Sequence, residues 1–176
     1  MRTNRVLIIQ RWLAVLLLAL SGGLLWQGSL HAGELPIADK VLIEKTERKL
    51  HLFKNGVAFK TFDIALGLRP VGDKNEEGDL KTPEGKYTLD GRNPNSDYFL
   101  SIHVSYPDEQ DRYEAQQRGI DTGGAIMIHG QPNVPSWSET FYRTQDWTNG
   151  CIAVSNSDML DIWLMTGENI PIEIRP

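Results

Sequence analysis

One cysteine, Cys151, stands 22 residues after the histidine of Ile128-His129-Gly130, within the run Asp146-Trp147-Thr148-Asn149-Gly150-Cys151-Ile152-Ala153-Val154. With no second cysteine in the chain, Cys151 cannot close an internal disulfide, and an imidazole is the natural group to take its proton. A free thiol titrates near ~8.5, so only a few per cent is thiolate at neutral pH unless a base or cation stands beside it. His129 is the candidate base. The segment Asn149-Gly150-Cys151 would set an unencumbered pair of backbone N–H groups around the sulfur, and Gly150 permits close approach, as an oxyanion hole requires. Trp147, Thr148, Asn149 and Gly150 are therefore candidates for the oxyanion and substrate positions. Together these features suit acyl transfer or hydrolysis through a thioester. The competing reading is that a lone cysteine is a small buried hydrophobe.

The other polar candidates have plainer explanations. His31 belongs to the N-terminal segment, His51 alternates outward on a hairpin, and His103 lies opposite an apolar strand face. One cysteine and scattered histidines with no i, i+4 pair do not make a zinc site, and no metal or organic cofactor is implied. Ser136, Ser138 and Ser155 lack the glycine context of a nucleophile elbow. Trp163 reads as core, whereas Trp137 and Trp147 fall on a long loop and could wall a groove or anchor the loop.

The N-terminus bears on where this chemistry happens. Arg2, Arg5 and Arg11 precede an uncharged, largely apolar stretch from Trp12 to Gly33, with no acid before Glu34. This reads as a secretory signal over residues 1–32 cleaved near Ala32, with an uncleaved membrane anchor as the alternative. Either way residues 33–176 lie outside the cytoplasm. Without the three arginines, Lys plus Arg falls from 18 to 15 against 23 acids, a net charge of −8. Such a surface argues against nucleic acid or anionic lipid as the partner. The remaining 144 residues fit one domain, spanning 38–176, that can bury a core without disulfides.

The elements that must position Cys151 and His129 read mainly as strands. Val41–Lys45 and Lys49–Phe53 are short and apolar-rich, and Asn55-Gly56 before Val57-Ala58-Phe59 is a hairpin signal. Leu68 to Lys81 is polar and glycine-punctuated, and Thr82-Pro83-Glu84-Gly85 reads as a turn feeding a strand at Lys86–Leu89. Tyr98 to Tyr106 alternates, with Leu100, Ile102 and Val104 on one face. Asp108 to Arg118, capped by Gly119, predicts a surface helix. Gly124 to His129 alternates again, with Ala125, Met127 and His129 sharing a face, so that His129 stands at a strand's exit. Gly130 to Asn149 predicts an irregular loop serving as a lid or substrate wall. Cys151–Val154 is a short strand, Ser155-x-x-Asp158 caps a helix burying Leu160, Trp163 and Leu164, and Ile170, Ile172 and Ile174 alternate in a closing strand.

From about Lys40 to Pro176 the chain resembles the L,D-transpeptidase (YkuD-like) catalytic domain. The resemblance rests on the Asn55-Gly56 hairpin, Gly78-Asp79-Leu80-Lys81-Thr82-Pro83-Glu84-Gly85-Lys86-Tyr87, Ser105-Tyr106-Pro107, Ile128-His129-Gly130 and Gly150-Cys151-Ile152. It implies a mainly β fold, a β-sandwich or partly open barrel with one or two short helices. It also implies a periplasmic or cell-wall-facing monomer acting on peptidoglycan stem peptides. Position by position it makes Cys151 the nucleophile, His129 the general base and acid, and the Gly130 carbonyl the group orienting the imidazole in place of a triad carboxylate. That arrangement fits a sequence in which Asp146 is the nearby acid. The implied reaction is attack on the L-centre carbonyl at stem position three with loss of D-alanine. The acyl group then passes to another stem in a 3→3 crosslink, to a lysine of an envelope protein, or to a free D-amino acid. Two departures matter: the family often carries Ser-His-Gly-Cys and an arginine two residues beyond the cysteine, where this chain has Thr148-Asn149-Gly150-Cys151 and Ala153. An L,D-carboxypeptidase or endopeptidase is accordingly the alternative, and a non-catalytic peptidoglycan-binding envelope protein the second.

Overall fold

The computed structural model describes residues 35–176. The secretory or anchor segment read at residues 1–32 lies outside the described residues. Among those described, no helix is long and apolar enough to cross a membrane.

Eight strands form one sheet: β1 (Lys40–Glu44), β2 (Lys49–Lys54), β3 (Val57–Asp63), β4 (Gly85–Ser96), β5 (Phe99–Val104), β6 (Met127–His129), β7 (Ile152–Ala153) and β8 (Ile170–Arg175). Their spatial order is β3-β2-β1-β8-β4-β5-β6-β7. The β2–β3 hairpin turns at Asn55 and Gly56, both at positive φ (51° and 78°), the backbone twist that matches flanking antiparallel strands. β8 inserts between β1 and β4, parallel to β1 with Val41 opposite Ile172 and Ile43 opposite Ile174, and antiparallel to β4. The C-terminal strand thereby ties the two halves of the chain together.

The sheet curls until its ends meet. Beyond β3 the chain exchanges two backbone hydrogen bonds with β7, Ala65 N–H to Ala153 O and Ala153 N–H to Ala65 O, each 2.8 Å. Leu68 N–H then reaches Thr148 O, and Thr148 N–H reaches Leu66 O. The result is the partly open barrel, with Val41, Ile43, Leu50, Leu52, Ile102, Ile128, Ile152, Ile172 and Ile174 buried within it. Burying such branched side chains contributes roughly 1.5–3 kcal/mol each relative to exposure.

Among the described residues three helices accompany the sheet. α1 (Glu109–Arg118) matches the predicted surface helix, with a capping box at Asp108 and left-handed Gly119 at its end. α2 (Glu139–Thr144) lies within the stretch read as irregular loop and makes three helices where one or two were expected; Ser138 caps it and Tyr142 is its buried residue. Six residues are too few to leave a periodic pattern. α3 (Asn156–Met165) begins at Ser155 as read, but it buries Met159, Ile162 and Met165, while Leu160 and Leu164 are 45% and 48% exposed. The buried stripe is one position out of phase with the expected one because α3 packs on β5. Trp163 is half-buried rather than core, with the Arg92 guanidinium 4.0 Å above its ring and an Arg92 hydrogen bond to Thr166 O at 2.9 Å. Predicted strands also shift at their ends: β4 runs on to Ser96, and β6 begins only at Met127.

Candidate active site

His129 ends β6 and faces Ala153 of β7 in parallel register. Cys151 lies two residues before Ala153, and strand alternation puts it on the same sheet face as His129. Both line one cleft of about 410 Å³ together with Tyr98, Ser101, Ala125, Met127, Trp147, Thr148 and Asn149. The structure thus brings together Cys151, His129, Trp147, Thr148 and Asn149, which the sequence singled out. Gly130 and Gly150 lie directly behind them.

The imidazole is 4% exposed, and its Nδ1 is 2.7 Å from Gly130 O. A carbonyl can only accept, so Nδ1 carries the proton and Nε2 is the free basic nitrogen. Burial pulls the imidazole down to about 4, against a smaller upward pull from the Gly130 carbonyl. At neutral pH the ring is uncharged and able to take a proton. Asp146, the one nearby acid in the sequence, is turned elsewhere: it pairs with Arg48 (2.8 Å) and accepts from Leu66 N–H (2.8 Å), pinning the loop to the barrel seam. A Cβ at Gly130 would come within 2.5 Å of Asn156 Oδ1 and about 3 Å of Phe99 Cβ and Tyr98 O, so a larger residue there would displace the Asn156 side chain and crowd the β4–β5 turn.

The Cys151 thiol hydrogen-bonds Ala125 O at 3.6 Å rather than the imidazole. Burial pushes it up, and the Met127 backbone amide and the Lys74 ammonium pull it part of the way down. The ground state is therefore a neutral thiol beside a neutral imidazole, so proton transfer must accompany attack. Ala125 holds its carbonyl toward the sulfur from a left-handed conformation (φ 54°), a sparsely populated state for a residue with a Cβ.

The expected pair of free N–H groups is only half present. Thr148 Oγ1 accepts from Gly150 N–H at 3.1 Å and donates to Cys151 O at 2.7 Å, which closes the loop into a tight turn. The Gly150 N–H is consumed, and among the described residues the Cys151 N–H alone of the two has no partner. Asn149 is exposed and lines the cleft, and its side chain carries an amide donor. Gly150 adopts φ 134°, and a Cβ there would meet Lys81 O at 2.6 Å. That carbonyl belongs to the 72–84 segment, which two buried lysines hold. Lys45 donates to Gly72 O, Thr82 O and Glu84, and Lys74 to Glu76 O and Asp79. Burial pushes Asp79 up, but Lys74 and three backbone N–H groups outweigh it and hold the carboxyl below the usual range.

Several site residues left no trace in the sequence. Tyr98 packs on the imidazole at a 45° tilt with ring centroids 4.7 Å apart, and Trp147 meets the same ring edge-on at 5.5 Å. Tyr98 read only as the start of a strand, and no spacing ties it to a histidine 31 positions away. Lys45 and Lys74 read as ordinary charged residues. The histidines given plain readings have them: His51 bonds Thr61 and Glu44, and His103 bonds Asp90. Among the described residues no group of three or more His, Cys, Asp or Glu is placed to hold a metal ion.

The YkuD family model, L,D-transpeptidase catalytic domain, matches residues 38–174. YafK of Escherichia coli (strain K12), an L,D-transpeptidase by assignment, is 32% identical over 96 residues, covering 51% of this chain and 37% of YafK. The helical cell shape determining protein Pgp2 from Campylobacter jejuni is 27% identical with a TM-score of 0.60, over 82% of this chain and 51% of Pgp2. Bd1075 of Bdellovibrio bacteriovorus is 26% identical with a TM-score of 0.55, over 82% of this chain and 52% of its own. An L,D-transpeptidase from Mycobacterium smegmatis, at 12% identity and a TM-score of 0.53, shares the fold. This chain spans about a third of the length of YafK and about half that of Pgp2 and Bd1075.

Proposed function

This chain belongs to the YkuD family of L,D-transpeptidase catalytic domains, and we propose that it forms a thioester between Cys151 and a peptidoglycan stem peptide. The observation that carries this reading is the His129 imidazole, whose Nδ1–H is committed to Gly130 O, leaving Nε2 in the cleft that Cys151 also lines. As the sulfur attacks the L-centre carbonyl of the diaminoacyl residue at stem position three, His129 Nε2 takes the thiol proton. The Cys151 N–H and the Asn149 side-chain amide donate to the oxyanion. The C–N bond to D-alanine then breaks, His129 returns its proton to the departing amine, and the acyl group stays on sulfur. An amine acceptor, deprotonated by the same imidazole, displaces the thiol and completes transpeptidation, as a 3→3 crosslink or an attachment to an envelope protein. The uncharged imidazole supports this order of events, because its Nε2 lone pair is unprotonated throughout the neutral range and the imidazolium formed only during attack readily returns its proton to the departing amine.

Hydrolysis of the same thioester is the second reading, favoured by a specific observation. Position 153, where the family often carries arginine, is Ala153, 1% exposed, and among the described residues no lysine or arginine lines the cleft to hold an acceptor carboxylate. Residues 1–32 would deliver the domain across the membrane, and the family's association with the cell wall supports that destination.

Purified protein incubated with disaccharide tetrapeptides, with products resolved by mass spectrometry, separates the readings. Crosslinked dimers support transpeptidation, and tripeptides alone support hydrolysis. Unchanged substrate supports a binding protein that retains the fold. Cys151→Ala is expected to abolish turnover and His129→Ala to lower it by orders of magnitude; undiminished product from the Cys151 variant would overturn the mechanism.

A further inference from the structure

We infer that Tyr98, braced by Asn133, is a positioning residue for the His129 imidazole. The inference rests on reading His129 as the base and adds how that ring is held.

Three rings form a triangle in the cleft: Tyr98 to His129 at 4.7 Å, His129 to Trp147 at 5.5 Å, and Tyr98 to Trp147 at 6.0 Å and nearly parallel. Trp147 has its own anchor, an Nε1–H donated to Tyr142 O at 3.1 Å and edge-on packing against the Tyr142 ring. Tyr98 has none through its side chain. It is 41% exposed, and among the described residues its hydroxyl has no hydrogen-bond partner. What places its ring is the backbone of the β4–β5 turn.

That turn is held from outside by one residue. Asn133, four positions after His129, donates its backbone N–H to Asp97 O, donates its side-chain amide to Ser96 O, and accepts from Phe99 N–H, each at 2.9 Å. The bond to Phe99 matters most, because Phe99 sits at φ 68°, a conformation that costs a residue bearing a Cβ and persists only when its surroundings impose it. Tyr98 N–H is in turn closed onto Ser96 Oγ at 3.1 Å. The chain leaving His129 therefore reaches across to fix the turn that presses Tyr98 back onto His129. The Gly130 carbonyl sets one edge of the imidazole, and Tyr98 with Trp147 sets its plane and removes it from water. The titratable groups sharing the cleft with the ring are Cys151, Asp97 and Tyr98 itself.

The test uses the folded protein and needs no substrate. The four histidines are labelled at imidazole C2, His129 is assigned by its loss in His129→Gln, and its titration is followed by NMR in wild type, Tyr98→Ala, Tyr98→Phe and Asn133→Ala. The two alanine variants are expected to raise the His129 midpoint by about one pH unit or more as water reaches the ring. They should move the acid limb of Cys151 alkylation by iodoacetamide in the same direction. Tyr98→Phe, which keeps the ring and loses only the unpartnered hydroxyl, is expected to titrate as wild type. A His129 midpoint unmoved in both alanine variants overturns the inference, as does Tyr98→Phe behaving like Tyr98→Ala. Failure of the catalytic reading is distinct: it appears as Cys151-independent turnover, whatever the titration of His129.

Discussion

The buried, uncharged His129 makes stability depend on pH in a way that can be worked out in advance. In an unfolded chain the imidazole takes up a proton below about 6.5, whereas in the folded cleft, buried and committed through Nδ1 to Gly130 O, it resists protonation down to about 4. Between those values the unfolded state binds more protons, so stability rises with pH there. The contribution is complete above 6.5, is lost as pH falls through the window, and is flat below about 4. A gap of about 2.5 pH units at 1.36 kcal/mol each sets it at about 3 kcal/mol, an order-of-magnitude figure. Urea denaturation of wild type and His129→Gln at half-unit steps from pH 3.5 to 7.5 isolates this contribution, because the carboxylates titrating in the same range are common to both. The difference between the two curves should shrink or change sign by about 3 kcal/mol from pH 7 to pH 4. A difference constant across that range would refute the claim that the imidazole is held neutral by burial, and with it the account of His129 as a base ready at neutral pH.

Four further substitutions probe the frame around the thiol and the core. Gly150→Ala places a methyl within 2.6 Å of Lys81 O at a φ of 134°, and should cost about 2–4 kcal/mol in urea denaturation together with loss of turnover. Thr148→Val leaves Gly150 N–H and Cys151 O without their shared hydroxyl; stability should fall by about 1–3 kcal/mol and kcat by about ten-fold or more, with retention of wild-type kcat counting against a role for the turn. Ile162→Ala, at a fully buried position, is expected to cost about 2–5 kcal/mol, whereas Leu160→Gln on the exposed side of the same helix should stay within about 0.5 kcal/mol. A larger cost at Leu160 than at Ile162 would mean that α3 packs in the phase its sequence first suggested.

The features legible in the sequence are those that local chemistry fixes. The Asn55-Gly56 turn, the Ser155 cap, Gly119 at a helix end and the alternation of Ile170, Ile172 and Ile174 each depend on residues a few positions apart, and each appears in the fold as read. The pairing of Cys151 with His129 was legible for another reason. A lone thiol requires a base, His51 and His103 had surface readings, and ordered motif blocks fixed the relative places of the rest. What failed were inferences that needed a partner surface. The phase of α3 depends on β5 beneath it, so Leu160 and Leu164 face outward despite their helical spacing. A free Gly150 N–H was a fair expectation from glycine, but it depends on where the Thr148 hydroxyl turns.

The sequence by itself singled out the candidate thiol and imidazole, the strand-rich class and the order of the segments, because residue type and short-range spacing suffice for those. Only the tertiary structure decided the surroundings of those two groups. The curled sheet closes Ala65 onto Ala153 and brings strands distant in the chain side by side, two buried lysines hold the wall against which Gly150 packs, and a turn more than 30 residues before His129 covers its ring. Burial and long-range contact set the protonation of an imidazole, and no run of neighbouring residues encodes either one.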